Sequence, residues 1–329
     1  MQEAGRGAAR PPIGIAFEGD LGSRIDAVLA VAMLYGFAAR TEARAVALCI
    51  SRPSLKAAQL ADVIASFYAA GPPLVGVPEG QAPADDAPPL AATLSQKADD
   101  GTPRYTSTIR RLLDTPDNAV LIRNRLLAQH DGNARMVVAG PATGLAKLLA
   151  LYGARPQIAS KCERLVVTAG TFPSDAVDPA VTSDIGAAKK LFAEWPTPIV
   201  AVGTEVGDAL PYPGASIAKD FEWAPAHPVA DAYRAVKPMP YDAPAPALAA
   251  MLYAVHPDDA YFKLSEPGTI SVQDDGRVRF AASPAGRHRY VIADAAQKDR
   301  VLEVYTTMVS AKPAPRGRGR GSAASESET

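Results

Sequence analysis

The run FEGDLGSRIDAVLAVAML, Phe17–Leu34, decides how this chain is read. It overlaps the short apolar stretch IGIAF, Ile13–Phe17, and then becomes apolar again at helical spacing. Its carboxylates, Glu18, Asp20 and Asp26, fall where a buried strand ends and a helix begins. In an open α/β sheet that junction is where ligands bind. Hard cations such as Ca²⁺ need several oxygen ligands, and closely spaced acids on such a loop can supply them. The same residues have a plainer reading, with Asp26 as a helix N-cap and Asp20 in a turn. Arg24 sits among the acids, and Ala27 directly follows Asp26.

Working outward, apolar strands alternate with helical patterns. IGIAF precedes a helix through Phe37. RAVALCI, Arg44–Ile50, precedes a helix from about Ser54 to Ala70. ARMVVA, Ala134–Ala139, precedes one from about Thr143 to Tyr152. RLVVTAG, Arg164–Gly170, leads to the helix DIGAAKKLFAEW, Asp184–Trp195, and then to TPIVAVG, Thr197–Gly203. Continuous Val/Ile/Leu runs suit strands buried on both faces of a parallel sheet, and the alternation predicts a doubly wound α/β fold. ALAAMLYAV, Ala247–Val255, reads as a further helix, and TISVQDDGRVRF, Thr269–Phe280, as a hairpin turning at Asp275-Gly276. The Pro/Ala/Asp-rich stretch from Val77 to about Pro103 reads as a surface loop.

The chain has 329 residues, is 48% hydrophobic and carries a formal net charge of −1. That length supports a large core, and the charge balance argues against a nucleic-acid footprint over the whole chain. Residues 1–12 read as a flexible leader, 13–309 as the folded unit, and 310–329 as an Arg/Gly/Ser-rich disordered tail. Its RGRGRG run reads as solvated, with contact to nucleic acid or an acidic surface as the other option. Cys49 and Cys162 lie in apolar runs without CxxC spacing and read as buried free thiols. No stretch has the ~18 apolar residues needed to span a bilayer, and no secretory h-region precedes Pro11. The cytoplasm is the expected compartment.

The other loops at the predicted ligand edge carry little familiar chemistry. SRPS after Ile50 suits a helix start, with Arg52 facing either the site or solvent. GPATG after Ala139 lacks the Lys-Ser/Thr and glycine spacing of a phosphate loop. TFPSDAVDPAVTSD after Gly170 offers Asp175, Asp178 and Asp184, the last placed to cap the next helix. There is no GxSxG and no HExxH, and the four histidines, His130, His227, His256 and His288, lie outside these loops.

In this order, the first loop with its helix, SRPSLKAAQLADVIASFY, VVAGPATGLAKLL, ERLVVTAGTF, DIGAAKKLFAEWPTPIVAVGTEVG, and LAAMLYAVHPD followed by GTISVQDDGRVRF resemble one family. The chain resembles the inosine-uridine preferring nucleoside hydrolases, and within them a bacterial branch with a first loop of the form DTDxGxDxDDALAL. The resemblance spans about Ile13 to Phe280. It implies a mostly parallel open sheet flanked by helices, with an added C-terminal hairpin. It also implies hydrolysis of the N-glycosidic bond of ribonucleosides. There, one Ca²⁺ and an aspartate activate the attacking water.

Set against the family loop, EGDLGSRIDAVLAV aligns without a gap. The resemblance makes Asp20 both metal ligand and water-activating base, and makes Asp26 a ribose contact. Glu18 takes the place of the first Asp, Arg24 replaces an Asp, and Ala27 replaces a calcium ligand. The backbone carbonyl ligand falls at Ala139. A Glu-aromatic-Asn triplet that grips ribose falls at Asp178, Pro179 and Ala180. The late-helix aspartate falls at Ala247, with Asp242 five residues earlier as a possible substitute. One of three expected carboxylate ligands is left, so calcium is expected to be absent or weak. The Arg24 guanidinium pairs with Asp20 or Asp26, or else faces solvent. Three functional expectations follow. The first is an impaired or inactive hydrolase that keeps its pocket for a nucleoside or related small molecule. The second is an active N-glycoside hydrolase with a site rearranged around Asp20, Asp26, Glu18 and Asp242. The third is a non-catalytic binding or scaffold protein, or one associated with nucleic acid, acting through its RGRGRG tail. The resemblance adds a possible homo-oligomer and no membrane partner.

Overall fold

A computed structural model describes residues 11–68, 75–80, 87–172, 174 and 176–314. The leader up to residue 10, Asp175 and the RGRGRG tail lie outside the described residues. The sheet order is β3-β2-β1-β4-β5-β6-β10-β8-β9, with β7 paired to β10. These strands are β1 Ile13–Gly19, β2 Ala43–Ile50, β3 Val75–Gly76, β4 Ala134–Ala139, β5 Cys162–Thr168, β6 Ile199–Val202, β7 Phe262–Leu264, β8 Gly268–Val272, β9 Val278–Ala282 and β10 His288–Ala293. Pairing is parallel from β3 through β6 to β10, and antiparallel where β8, β9 and β7 join. The expected mostly parallel α/β sheet with an added hairpin is therefore what the chain forms. The hairpin turn places Gly276 at φ +84, a region in which a side chain is strained.

β1 shows why the sheet needs helices on both faces. Ile15 and Phe17 enter one core and Ala16 the other, as the period of two requires. The first core is covered by α1 (Ile25–Ala39), α2 (Leu55–Tyr68), α11 (Pro228–Arg234), α12 (Pro246–Val255) and α13 (Lys298–Val309). The second is covered by α4 (Asn118–Leu127), α5 (Thr143–Ala150), α6 (Ala154–Lys161) and α8 (Ile185–Glu194). α1 is apolar nearly all round, with eleven of its fifteen residues buried. A helix of that kind belongs in an interior. Gly36 lets α13 press against it, because a Cβ there would overlap the Met308 carbonyl.

The strand order reverses between β1 and β4, since β1 pairs β2 on one side and β4 on the other. The loops leaving these strands are splayed to opposite faces, which opens a crevice at the strand C-termini.

Several expectations need correction. Asp26 is not the N-cap of α1. That position is Arg24, with no side-chain cap bond, and Asp26 lies inside the first turn. The stretch read as a surface loop from Val77 contains α3, Pro88–Leu94, with prolines in its first turn where their missing N–H costs nothing. Asp184 does cap α8, accepting from the Ala187 N–H at 2.9 Å. Cys49 and Cys162 are buried free thiols, and burial pushes the Cys162 thiol up to about 12.

Candidate functional site

The crevice holds a cleft of about 430 Å³. Asp20, Arg24 and Asp26 from the first loop line it, with Arg52 after β2, Asp178 and Ala180 after β5, and Pro244 and Pro246 ahead of α12. Three carboxylates called from the sequence, Asp20, Asp26 and Asp178, thus share one cleft across 158 positions of chain, from 20 to 178.

Each carboxylate is already engaged on both oxygens. Asp20 Oδ1 accepts from the Ser23 N–H at 3.2 Å, and Oδ2 accepts from Arg52 Nε at 2.7 Å. Asp26 takes a two-pronged contact from Arg24, Nε to Oδ1 at 3.1 Å and Nη2 to Oδ2 at 3.0 Å. Asp26 Oδ2 also accepts the Ala247 N–H at 2.9 Å. Asp178 Oδ1 accepts from the Ala180 N–H at 2.8 Å and caps the short helix α7, Pro179–Thr182. Its Oδ2 accepts from the Gly170 N–H at 2.9 Å. The Ala139 carbonyl accepts from the Asp20 N–H at 3.0 Å.

The guanidiniums are therefore part of the cleft. Burial opposes the charge on Arg24. The Asp26 carboxylate overcomes it, helped by Asp178 and Asp20, and the pKa of Arg24 is raised. Its side chain is 23% exposed, and that of Arg52 is 38% exposed.

Other candidate residues do not converge there. Asp242 is absent from the cleft lining, and its Oδ1 accepts from the Gly214 N–H at 2.8 Å. Glu18 is fully buried on the opposite face of the sheet, against Gly144 of α5. Neither of its oxygens has a hydrogen-bond partner. Burial, with the Asp117 charge adding to it, pushes Glu18 up to about 8. Gly144 and Asn118 pull the other way without completing a bond. Ala27 and Ala247 are completely buried. Among the described residues, no three His, Cys, Asp or Glu side chains are grouped so as to hold a metal ion. The rearranged set of Asp20, Asp26, Glu18 and Asp242 does not assemble.

The sequence left Arg52 undecided between site and solvent. The missing signal was its partner, Asp20, thirty-two residues away on the neighbouring loop. The Thr171–Thr204 hydroxyl contact at 2.6 Å, which ties the β5 and β6 loops, had no sequence signature.

This architecture matches solved structures across almost the whole chain. The fold is that of the nucleoside hydrolases. An inosine-uridine preferring nucleoside hydrolase from Bacillus anthracis aligns with a TM-score of 0.68 at 15% identity, covering 91% of this chain and 99% of its own. A purine-preferring ribonucleoside hydrolase from Gardnerella vaginalis aligns at 0.65 and 16%, covering 90% and 98%. The type III effector protein XopQ, solved with adenosine diphosphate ribose, aligns at 0.64 and 15%, covering 92% and 96%. No family model and no curated protein matches the sequence. Among the described residues, no helix of this nucleoside hydrolase fold is long and apolar enough to cross a membrane.

Proposed function

We propose that this chain is a nucleoside hydrolase-like protein whose cleft takes a nucleoside or related ribosyl ligand without calcium, with N-glycosidic hydrolysis impaired or lost. The observation that carries the reading is the state of the carboxylates. All six oxygens of Asp20, Asp26 and Asp178 already accept hydrogen bonds, two of these residues from arginines. The residues at the two other ligand positions implied by the family resemblance are Ala27 and Ala247, which offer no side-chain oxygen. Calcium affinity depends on the number and charge of free oxygen ligands, so this donor set does not fit the ion. Without it, the water-activating step has no Lewis acid, and Asp20 is tied to Arg52.

The cleft itself persists, with acceptors and guanidinium donors interleaved, which suits a polyhydroxyl ligand more than a bare anion. Ribosyl groups are common to the substrates named for the neighbouring hydrolases and to the ligand solved with XopQ. Titration calorimetry with CaCl₂, inosine and adenosine diphosphate ribose, paired with an inosine and uridine hydrolysis assay, tests this. The expected result is no calcium isotherm, no turnover, and ribosyl binding unchanged by chelator. Stoichiometric calcium with turnover, or no ribosyl binding at all, overturns it.

A further inference from the structure

We infer that the Arg24 guanidinium is the resident cation of the cleft, balancing Asp20, Asp26 and Asp178 in place of a bound metal ion. This deepens the calcium-free reading above and rests on it.

The first observation is geometric. Arg24 grips both oxygens of Asp26 with two parallel N–H groups, at 3.1 and 3.0 Å. That fork is the strongest arrangement a guanidinium makes with a carboxylate. The second is electrostatic. Asp178 and Asp20 also act on the guanidinium, so its charge answers three carboxylates and not one.

The third observation is what the position gives up. Arg24 is the N-cap of α1, in extended geometry at φ −131 and ψ 110. N-caps favour Ser, Thr, Asp or Asn, whose side chains accept from the first turn, and Arg24 makes no such bond. A cation at a helix N-terminus also opposes the helix dipole. Arg24 is therefore poorly suited to begin a fifteen-residue helix. What compensates is the acidic cleft it faces. α1 starts with Asp26 in its first turn, and Arg24 reaches forward two residues to neutralise it.

Arg52 does not substitute for this. It binds Asp20 from the rim of the cleft, with 38% of its side chain exposed. Removing Arg24 would leave Asp26 and Asp178, in the same cleft, hydrogen-bonded by backbone N–H groups alone. The carboxylates are not grouped to hold a divalent ion of their own, so the negative charge left behind would go unbalanced and cost stability, most of all at low ionic strength.

The test is thermal unfolding of the full chain at low salt and in about 0.5 M NaCl, each with chelator and with CaCl₂. Arg24→Gln, which keeps length and loses charge, should melt below wild type by about 2 °C or more at low salt, and by less at high salt. Arg24→Lys, which restores a cation, should recover most of that difference. Calcium should shift none of the three proteins, because the carboxylates are not grouped to hold it. If Arg24→Gln does not fold at low salt, recovery of its folded circular dichroism at high salt is the same readout. The inference is overturned if Arg24→Gln melts like wild type at low salt, if its deficit is the same at both salts, if Arg24→Lys melts no higher than Arg24→Gln, or if Arg24→Gln fails to fold in either. A rise in the wild-type melting temperature with calcium also overturns it. Ribosyl binding by wild type is measured separately, so loss of the proposed ligand leaves this result readable.

Discussion

The Ala247 N–H donates to Asp26 Oδ2 at 2.9 Å, joining two helices whose contacting residues are 221 positions apart. Ala247 is the second residue of α12, so the bond uses an amide that has no partner inside its own helix. Family resemblance places a carboxylate ligand at this position. Here its backbone serves as a donor to another carboxylate, sharing Oδ2 with Arg24 Nη2 while Arg24 Nε takes Oδ1.

Asp26 is accordingly the keystone of the cleft, and the prediction is asymmetric. Asp26→Ala strands the Arg24 charge in a mostly buried place and leaves the Ala247 amide open. It should cost about 2–3 kcal/mol, toward the low end for breaking a buried pair because Arg24 keeps some solvent. Asp26→Asn keeps an acceptor and should cost roughly half as much. Urea unfolding midpoints check both, and equal costs for the two variants would remove Asp26 from this role.

Gly144 is a position where the usual helix rule should fail. Replacing a helical glycine by alanine normally gains up to ~1 kcal/mol. Here a Cβ would lie 2.5 Å from both Glu18 oxygens. Glu18 is fully buried, so its carboxyl group would have to shift within packed surroundings. Gly144→Ala should therefore cost about 1–3 kcal/mol by overpacking. In a Glu18→Ala background the same change should become stabilising. A double-mutant cycle reads that coupling directly, and additive effects would refute the contact.

Glu18 supplies a pH prediction of its own. Its folded value is raised from 4.5 to about 8. An acid raised on folding contributes its stability below the unfolded value and loses it as pH rises toward the folded one. Wild type should lose about 1.4 kcal/mol per pH unit from this group between 4.5 and 8. Glu18→Gln removes the loss, and its amide can donate to Asp117 Oδ2 or Asn118 Oδ1, both buried without a partner. The stability advantage of Glu18→Gln should therefore grow steadily from pH 5 to pH 8 in paired urea titrations. A constant difference between the two proteins would show that Glu18 is not held protonated.

Much of the fold was legible because its signals are short-range. The runs Ala134–Ala139 and Thr269–Phe280 declare their strands through continuous apolar residues and through the Asp275-Gly276 turn. α3 was missed because prolines in its first turn look like loop residues in sequence. Asp20, Asp26 and Asp178 stood out by their place on loops at the strand C-termini and took their roles from the resemblance; the three line one cleft. What stayed hidden was pairwise and distant. Arg52 gives no hint of Asp20, and nothing at Ala247 hints that its amide reaches Asp26. The N-cap of α1 was misread because Asp26 is a good capping residue, and only the pull of Arg24 and α12 takes its carboxylate elsewhere.

His227 offers the opposite pH dependence, away from the cleft. It is fully buried, ringed by Phe67 at 4.5 Å and Phe221 at 4.7 Å between centroids. Its Nδ1 accepts from the Val229 N–H at 3.3 Å, which leaves the proton on Nε2 to be donated to Tyr68 Oη at 3.0 Å. Tyr68 Oη in turn donates to the Val309 carbonyl at 3.3 Å, tying α2 and α11 to the end of α13. The neutral ring is thus fully satisfied and has no acceptor for a second proton. Burial, with the nearby Arg234 charge, lowers its value from 6.5 to about 3. The unfolded chain binds a proton there before the folded one does. Stability from His227 is therefore complete above pH 6.5 and is lost as pH falls toward 3. His227→Phe breaks the bond chain and should cost about 1–3 kcal/mol at pH 7.5. Its stability should then fall less steeply than wild type on acidification, by up to about 1.4 kcal/mol per pH unit below 6.5. Parallel pH profiles of the two proteins between 7 and 4 would mean that the ring is not neutral in the fold.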